Sequence, residues 1–532
     1  MFDLNYDLFF KNISFVKGYM RGYKIIKKNR KFKFIMDLNK KLTVSKIKIF
    51  PKFYDKYLFL EGKNINLENV IRQIFITRLI NLEFNKTILY FIGLSKEIAY
   101  PLPKDWINIL KNDGIKINKF ISTILLRIYF LIYLLQSIIV YIKVLYSTFF
   151  NPLKKNLLYE DCIYIDNIPL GNTNSLSNNN FVNWIRKNLK NKISHKNNIF
   201  TPYQKNQKKF IPDMDNIYFW DPLLSLNSRI YIFKFSIWYI RALFFGTMDL
   251  LLSQGYRSYL LSESIKAKIF SMNNTKSSFK YLFFNNSNYI YRPLWTYCAE
   301  LKGAKNILFF YSTNCVKFSN TLLQKDLYGP GWQSNTWSYY YVWDKYMADY
   351  LNLAIDKPNV EIKGIVPFFD KYIDIPSEID KNSKIITIFD VQPVRSSFFQ
   401  SLHFYPYYTP EICIKFMSDI LEISLDFNFV IVYKGKRSIG SNLHPKYKNF
   451  IKNINYEKFH NLPPETPAEQ IIKFSNAVIS MPFTSTSLIA NDHKIPTCFY
   501  EPTSEILYNK LHTHGINLIN NKNDLKNWLE LI

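Results

Sequence analysis

The sequence predicts an α/β protein with two Rossmann-like, doubly wound domains that face a cleft and a hydrophobic helical insertion in the first of them. Two observations support this prediction. Short apolar runs rich in β-branched residues alternate with helical segments in both halves of the chain, as in parallel sheets with helical crossovers. A polar segment with two prolines, 367–383, separates the halves and is predicted to be a linker.

The chain is long enough for two or three domains, because it has 532 residues, of which 48% are hydrophobic. We divide it into a basic N-terminal segment, 1–85, a first Rossmann-like domain, 86–366, and, after the linker, a second Rossmann-like domain, 384–532. The apolar helical insertion in the first domain covers 117–150.

The net charge is strongly positive, since 69 Lys and Arg stand against 41 Asp and Glu, a balance of +28. Such a charge attracts nucleic acid, anionic lipid or anionic substrates. However, Lys, Asn, Ile, Tyr and Phe are abundant along the whole chain, which indicates an AT-rich genome rather than a local basic site. No nucleic-acid-binding module is recognisable, and we therefore predict no nucleic-acid partner.

Five widely spaced cysteines without a Cys-x-x-Cys pair predict neither a disulfide framework nor a thiolate metal site, and they fit a reducing cytoplasm. Charged residues near the N-terminus, such as Asp3, Asp7 and Lys11, interrupt the apolar core that a signal peptide needs. The pair Asp213-Met-Asp215 lies in a lysine-rich loop rather than at a strand end, and we predict no metal site.

The first domain opens with a predicted strand at 88–93, a helix at 104–113 and a strand at 115–117, which together form a βαβ unit. After the insertion we predict a strand at 161–166 and a helix at 181–190.

The insertion contains the most apolar stretch of the chain. Between Arg127 and Lys143 there is no charge, and these residues would form a helix roughly 22 Å long. A spanning helix usually needs about 20 apolar residues, so we favour a helix in the bilayer interface or in a core over a membrane span. A second segment, 231–245, is rich in aromatic residues; we predict a buried helix, with a membrane interface as the alternative.

A second strand–helix–strand unit is predicted at 281–284, 293–301 and 307–311. The loop after it, 312–314, lies at a strand's carboxyl end, where open α/β sheets bind ligands. The rest of this domain is predicted as a strand at 337–343, a helix at 346–353 and a strand at 360–366.

The second domain also alternates strands with helices. This alternation predicts a parallel sheet with right-handed crossovers, and a nucleotide would lie along its carboxyl edge. The elements are strands at 385–390, 427–433, 477–481 and 496–500, with helices at 410–425 and 466–474.

A hydroxyl-rich turn follows the strand at 477–481. Pro482 stops the strand, and a helix is predicted to begin among Thr484, Ser485, Thr486 and Ser487. A helix N-terminus has unpaired N–H groups and a partial positive charge, so this turn suits a nucleotide phosphate. The alternative is that these residues are ordinary N-caps without a ligand.

Other candidate donor-binding residues follow neighbouring strands. Lys434, Lys436 and Arg437 are cations that can hold a diphosphate or a sugar acid. Glu501, after the last predicted strand, is a candidate partner for a ribose.

The tetrad Pro482-Phe-Thr-Ser485, followed by Thr-Ser-Leu-Ile-Ala and then by Lys494-Ile-Pro-Thr-Cys-Phe-Tyr-Glu-Pro502, resembles the signature of the bacterial polysaccharide-biosynthesis PFTS-motif family. That family is similar to GT-B glycosyltransferases of the sialyltransferase, capsule and teichoic-acid type. The resemblance implies a cytoplasmic, metal-independent enzyme, peripheral at the inner face of the plasma membrane. It would move a sugar from a nucleotide-sugar donor to a growing surface polysaccharide or a lipid-linked acceptor, without a further cofactor.

The resemblance also suggests site residues. The loop after the strand at 307–311 often carries a catalytic His in such relatives, whereas here it ends in Asn314. The catalytic base is therefore open, with Asn314 and Glu300 as candidates and with Arg292 and Trp295 on the acceptor side. His444-Pro445 is similar to a His-Pro pair that contacts the nucleotide.

Two other functions are compatible with the same residues. A phosphotransferase that moves a polyol phosphate from a CDP-linked donor would use the same phosphate turn, but it normally needs the loop His. A non-catalytic polysaccharide-assembly protein that kept the fold would not bind nucleotides, and Ser485 and Thr486 would then be helix caps only.

Overall fold

The computed structural model describes the chain from residue 107 onward in segments. The predicted strands at 88–93 and 115–117 lie outside the described residues, as does most of the predicted helix at 104–113. The described residues are 107–108, 111, 118–150, 162–166, 180–189, 199–201, 217–219, 225–252, 256–273, 279–286, 292–313, 335, 337–355, 357–367, 379, 383–391, 393, 407–435, 444–463, 466–506 and 510–532.

The first domain is built on a parallel sheet that has seven strands in the described part of the chain, in the order β3-β2-β1-β4-β5-β6-β7. Its strands are β1 (Cys162–Ile165), β2 (Ile199–Thr201), β3 (Ile217–Phe219), β4 (Phe279–Asn285), β5 (Lys305–Phe309), β6 (Tyr339–Val342) and β7 (Val360–Ile362). Its helices are α1 (Lys119–Phe150), α2 (Asn180–Asn188), α3 (Ile230–Leu252), α4 (Tyr256–Asn273), α5 (Leu294–Leu301) and α6 (Lys345–Ala354).

The second domain has a parallel sheet of six strands among the described residues, in the order β10-β9-β8-β11-β12-β13. These strands are β8 (Ile385–Phe389), β9 (Val430–Lys434), β10 (Phe459–Leu462), β11 (Ala477–Ser480), β12 (Thr497–Tyr500) and β13 (Asn517–Ile519). The helices are α7 (Pro410–Phe427), α8 (Pro445–Lys452), α9 (Ala468–Lys473), α10 (Ser485–Asp492), α11 (Lys510–Thr513) and α12 (Lys522–Glu530).

The two sheets confirm the predicted α/β class and its pair of Rossmann-like domains. The central strands β8 and β11 are buried at every position, as expected for apolar strands covered by helices on both faces. Some predicted boundaries are wrong. The strand predicted at 360–366 ends at Ile362, and the strand predicted at 427–433 begins at Val430. The later start at Val430 follows from Asn428, whose left-handed conformation (φ 56°) ends α7 there and whose N–H donates to the carbonyls of Ser424 and Leu425.

The domains share an apolar contact. The core of the first domain includes Leu488, Phe499 and Ile516, which belong to the second. A polar contact lies beside it, since Asp344 Oδ2 is 2.6 Å from Nδ1 of the buried His514. Gly515 follows with φ 79°, and a Cβ there would lie 2.7 Å from the Tyr346 hydroxyl, so this close approach requires glycine.

The apolar insertion forms α1, a helix of 32 residues, which packs against α3, a helix of 23 residues. By length and composition alone, both are apolar enough to cross a membrane, and only about a third or less of each apolar window is buried. The prediction of a buried helix at 231–245 is therefore wrong for its outer face, where Phe233 and Ile240 are exposed.

Candidate functional site

Each sheet has a topological switch point, where the strand order reverses. In the first sheet it lies between β1 and β4, and in the second it lies between β8 and β11. Open α/β sheets bind ligands outside the carboxyl ends of the strands at such a point. In the second domain the residues at this position are Asp390, which follows β8, and the turn Met481–Thr484, which follows β11.

The turn after β11 has an unusual backbone. Phe483 adopts a left-handed conformation, with φ 63°, which is strained for a bulky residue. Packing holds it there, because its ring meets Phe499 and His512 edge-on at 5.9 and 5.7 Å between centroids. The Tyr408 hydroxyl also donates to the carbonyl of Pro482 at 2.7 Å. The surrounding protein thus fixes the turn before any ligand binds.

The helix that follows, α10, begins without a side-chain cap among the described residues, although its N-cap residue is Thr484. The Thr484 hydroxyl instead donates backwards to the Met481 carbonyl at 3.0 Å. Elsewhere in the chain, Asp344 and Asn521 accept from the backbone N–H groups of their helices in the ordinary way. The first N–H groups of α10 are therefore left for another acceptor.

Three of the four hydroxyls in the predicted phosphate turn make contacts inside the second domain. Thr486 Oγ1 lies 3.0 Å from Ser480 Oγ and 3.2 Å from Thr484 Oγ1. Ser487 is fully buried and donates to the Cys498 carbonyl at 3.5 Å. Ser487 is therefore a structural residue.

Ser485 differs from these three, because it faces the first domain. Its Oγ lies 3.4 Å from both the backbone N and Oγ1 of Thr313. Thr313 belongs to the loop after β5, so this contact joins the carboxyl edge of the first sheet to that of the second. The neighbouring Ser312 is buried, and its hydroxyl has no hydrogen-bond partner among the described residues. Asn314, a candidate for the catalytic role, lies outside the described residues.

The candidate cations are only partly described. Lys434 is the last residue of β9 and is paired in register with Phe389 of β8, so it lies at the carboxyl edge one strand from the switch point. Lys436 and Arg437 lie outside the described residues. His444, the candidate nucleotide contact, is the N-cap of α8, and its Nδ1 accepts from the Lys446 N–H at 3.2 Å.

Glu501 does lie at the carboxyl edge of β12, but its surroundings do not fit the predicted ribose contact. The side chain is fully buried. Its Oε1 accepts from the Tyr407 hydroxyl at 3.0 Å and from the Thr503 N–H at 2.8 Å. Burial and the Glu501 carboxylate raise the pKa of Tyr407 far above its usual range, so this hydroxyl stays a donor. Glu501 organises the loop that follows β12.

The acceptor-side candidates form a structural unit instead of an open site. Arg292 is buried and pairs with Glu300, which also accepts from the Ser338 hydroxyl. Ser338 directly precedes β6, which places Glu300 at the amino end of the parallel sheet, opposite Thr313. Trp295 is buried and meets Tyr164 edge-on at 5.1 Å. This placement argues against a base role for Glu300 and an acceptor contact for Trp295.

Sequence reasoning missed a carboxylate at the switch point of the first sheet. Asp166 follows β1 and is half-buried; its backbone N–H donates to Phe283 on β4, and its Oδ1 accepts from the Tyr164 hydroxyl at 3.5 Å. The signal was present, because an Asp at the end of an apolar strand is a common form of a site residue. The sequence alone does not give the strand order that makes this position a switch point.

The second domain also contains buried titratable groups. Asp390 accepts from the hydroxyls of Tyr433 and Tyr447 at 2.6 and 2.7 Å. Burial, and to a smaller extent the negative charge of Asp390, raise the pKa of both tyrosines. His512 packs under the turn, and burial with the nearby His514 lowers the pKa of His512 to about 4. A neutral His512 therefore supports Phe483 at physiological pH.

Among the described residues, no group of three or more His, Cys, Asp or Glu side chains could hold a metal ion.

Comparisons with known proteins place the chain in a family. None of the curated proteins matches its sequence significantly. Similar solved structures include a putative UDP-N-acetylglucosamine 2-epimerase from Listeria monocytogenes (9% identity, TM-score 0.39, covering 70% of this chain and 88% of that chain). They also include the wall teichoic acid polymerase TagF (11%, TM-score 0.36, 76% and 88%) and the glycotransferase of kitacinnamycin (8%, TM-score 0.37, 70% and 91%).

The profile of the family described as "Polysaccharide biosynthesis PFTS motif protein" matches residues 238–529. This match covers more than half of the chain and includes the turn Pro482–Ser485. It confirms the resemblance drawn from that turn. The chain belongs to the polysaccharide-biosynthesis PFTS-motif family.

Proposed function

We propose that the protein is a glycosyltransferase that moves a sugar from a nucleotide-sugar donor to a growing surface polysaccharide or its lipid-linked precursor. One observation carries the proposal: the turn Pro482–Ser485 places an uncapped helix N-terminus at the switch point of the second sheet. In this proposal the donor enters from the cytoplasm, and the reaction takes place at the inner face of the plasma membrane.

The donor's diphosphate would bind at the start of α10. Cleavage of the bond between sugar and phosphate builds negative charge on the departing phosphate, and fixed N–H donors stabilise that charge without reorganisation. Both lying near the carboxyl edge, the Ser485 hydroxyl adds a hydrogen-bond donor and Lys434 adds a positive charge. Since the turn is held by packing around Phe483, these donors are already oriented in the free protein.

The first domain would supply the base that removes a proton from the acceptor hydroxyl. We propose Asp166 for this role, because it ends β1 at the switch point of the first sheet. β1 lies two strands from β5, whose following loop contacts Ser485, and neighbouring strands are about 4.8 Å apart, so the ends of β1 and β5 lie roughly 10 Å apart along the sheet. This spacing would leave room for a substrate between Asp166 and the turn at Ser485.

The proposal is tested first by binding and then by turnover. CMP, CDP, UDP, GDP and their sugars are screened by thermal shift against the purified chain; a ligand at 100 times its dissociation constant stabilises by about 2.7 kcal/mol. Sugar transfer from the bound donor to a bacterial membrane extract supports the proposal. Transfer of labelled phosphate from a CDP-polyol would instead show a phosphotransferase, and failure of every nucleotide to bind would favour an assembly protein.

The base is tested by Asp166→Asn, with the exposed Asp426→Asn as the matched control. Loss of a general base lowers turnover by about 100-fold to 10,000-fold. We expect the Asp166 variant to show such a loss with donor affinity unchanged, and the control to keep full activity. Equal turnover in both variants would rule out Asp166 as the base.

A further inference from the structure

The two longest described helices, α1 and α3, present a continuous apolar surface to solvent, which we call the outer face. On α1 it includes Ile128, Leu135 and Ile139, which are 50%, 51% and 54% exposed. On α3 it includes Phe233, Ile240 and Phe244, which are 73%, 63% and 58% exposed. Water contact with so many large apolar groups is unfavourable, and exposed apolar patches of this kind mark binding surfaces.

The opposite faces of these helices are fixed to the protein along most of their length. On α1 the buried side chains run from Ser122 to Thr148. Tyr141 stacks on Tyr239 of α3 at 4.1 Å between centroids and donates to Ser236 at 2.8 Å. The Thr148 hydroxyl accepts from the backbone N–H of Leu226 at 3.0 Å.

Both helices also pack on α4, which leads into β4 of the central sheet. Tyr133 of α1 meets Tyr259 edge-on at 4.6 Å, and Ser258 donates to the Gly246 carbonyl of α3 at 2.8 Å. A Cβ at Gly246 would lie 3.3 Å from the Leu134 side chain, so the two helices approach closely at this point. To span a bilayer, α1 and α3 would have to leave these contacts.

The charges around the outer face have one sign. Exposed cations in and beside the two helices are Lys119, Arg127, Lys143, Arg229, Lys234 and Arg241. Within the two helices, all of whose residues are described, the only acidic residue is Asp249. Cations beside an apolar face are typical of helices that lie in the interface of anionic membranes. A second copy of the chain would instead place these cations against an identical set, which is repulsive.

We propose that the outer face binds in the plane of a bilayer that contains anionic lipid. The apolar side chains enter the boundary between headgroups and acyl chains, the cations contact lipid phosphates, and neither helix spans the membrane. This proposal does not depend on the transfer reaction, because it rests on residues away from the turn at Pro482.

The test is flotation of the full chain with vesicles of phosphatidylcholine, with or without phosphatidylglycerol. We expect binding that needs phosphatidylglycerol and that is released by carbonate at high pH, as for a peripheral protein. The variant Ile128→Glu, Ile139→Glu, Phe233→Glu and Ile240→Glu should lose about 100-fold or more in partitioning. Its control carries Leu353→Glu and Leu425→Glu, which are exposed leucines on other helices, and should bind like the wild type.

The cations are tested separately by Lys143→Gln, Lys234→Gln and Arg241→Gln, against Lys345→Gln, Lys384→Gln and Lys452→Gln on other surfaces. Each cation near an anionic surface contributes about a fivefold factor, so the first set should weaken binding at least tenfold and the second should not. Several results would overturn the proposal: no binding, binding that the glutamate variant retains, resistance to carbonate extraction, or a dimer that the glutamates dissociate without any vesicle binding.

Discussion

The helices α5 and α10 are the two segments of this chain that look most like signatures of a site, and the structure treats them in opposite ways. Both follow a central strand of a parallel sheet along the chain, and neither has a side-chain cap among the described residues. At α5 the first residues, from Leu294 to Ala299, are all buried. At α10 the first residues, Ser485 and Thr486, are half-buried, and Ser485 faces the other domain.

The difference shows that a helix start becomes a candidate site only where polar donors remain accessible. Just before α5, the guanidinium of Arg292 donates to the Thr296 hydroxyl at 3.0 Å and pairs with Glu300. Its charge is thus compensated inside the domain. In α10 the one hydroxyl that could cap the helix, on Thr484, turns to Met481 instead. The unused hydrogen-bonding capacity therefore lies at the start of α10 and not at α5.

The largest expected effect tests the closed helix. Glu300→Gln leaves the buried Arg292 without its charge partner and should reduce the free energy of unfolding by up to about 3 kcal/mol, the cost of an uncompensated buried charge, because Arg292 is buried although the Glu300 side chain is 40% exposed. Denaturant unfolding measures this change, with Asp426→Asn, on an exposed pair with Lys526, as the control. A stable Glu300→Gln protein without turnover would restore Glu300 as the base.

The next effect concerns the support beneath the open turn. Because the pKa of His512 is lowered to about 4, the unfolded chain binds a proton at higher pH than the folded one. Stability should therefore fall as the pH drops from about 6.5 to about 4, by at most about 3 kcal/mol for this group.

Urea unfolding at a series of pH values measures this loss, and His512→Asn should flatten the profile in that window. His460→Asn, which changes a histidine on the edge strand β10, is the control variant. An identical profile in wild type and His512→Asn would contradict the claim that burial lowers the pKa of His512.

A smaller effect separates capped helices from the uncapped one. Asn521 accepts from the Asp524 N–H at 2.9 Å, so Asn521→Ala should cost about 1 kcal/mol. Ser485→Ala removes only long contacts with Thr313 and should cost less than about 0.5 kcal/mol. Thermal unfolding of the two variants compares them directly. Equal losses would mean that the α10 hydroxyls serve as caps.

The sequence was informative about local structure and about which edges carry polar residues. The run at 477–481, the turn at Pro482 and the loop at Thr313 were all placed correctly, because periodicity and helix-start chemistry are local signals. The partners of Glu300 and Glu501 were not predictable in the same way. Ser338 is 38 residues from Glu300 along the chain, and Tyr407 is 94 residues from Glu501. Such contacts depend on strand order, which local patterns do not determine.

The central claim is that the N–H groups at the start of α10 bind a nucleotide phosphate. Ser485→Pro tests it, because proline at the first helical position removes one N–H while preserving the helix. The chain already has proline at the starts of α7 and α8, and Thr484, with φ −82° and ψ 144°, has the extended conformation that a residue before proline needs. The matched control is Ser485→Ala, which keeps the N–H.

Calorimetric titration of the nucleotide found in the screen is the measurement. We expect Ser485→Pro to unfold at the wild-type temperature and to bind the nucleotide at least about tenfold more weakly, the worth of one charge-assisted hydrogen bond. Ser485→Ala should lose less affinity than Ser485→Pro. Unchanged affinity in the stable Ser485→Pro protein would contradict the claim, because the phosphate would then bind elsewhere.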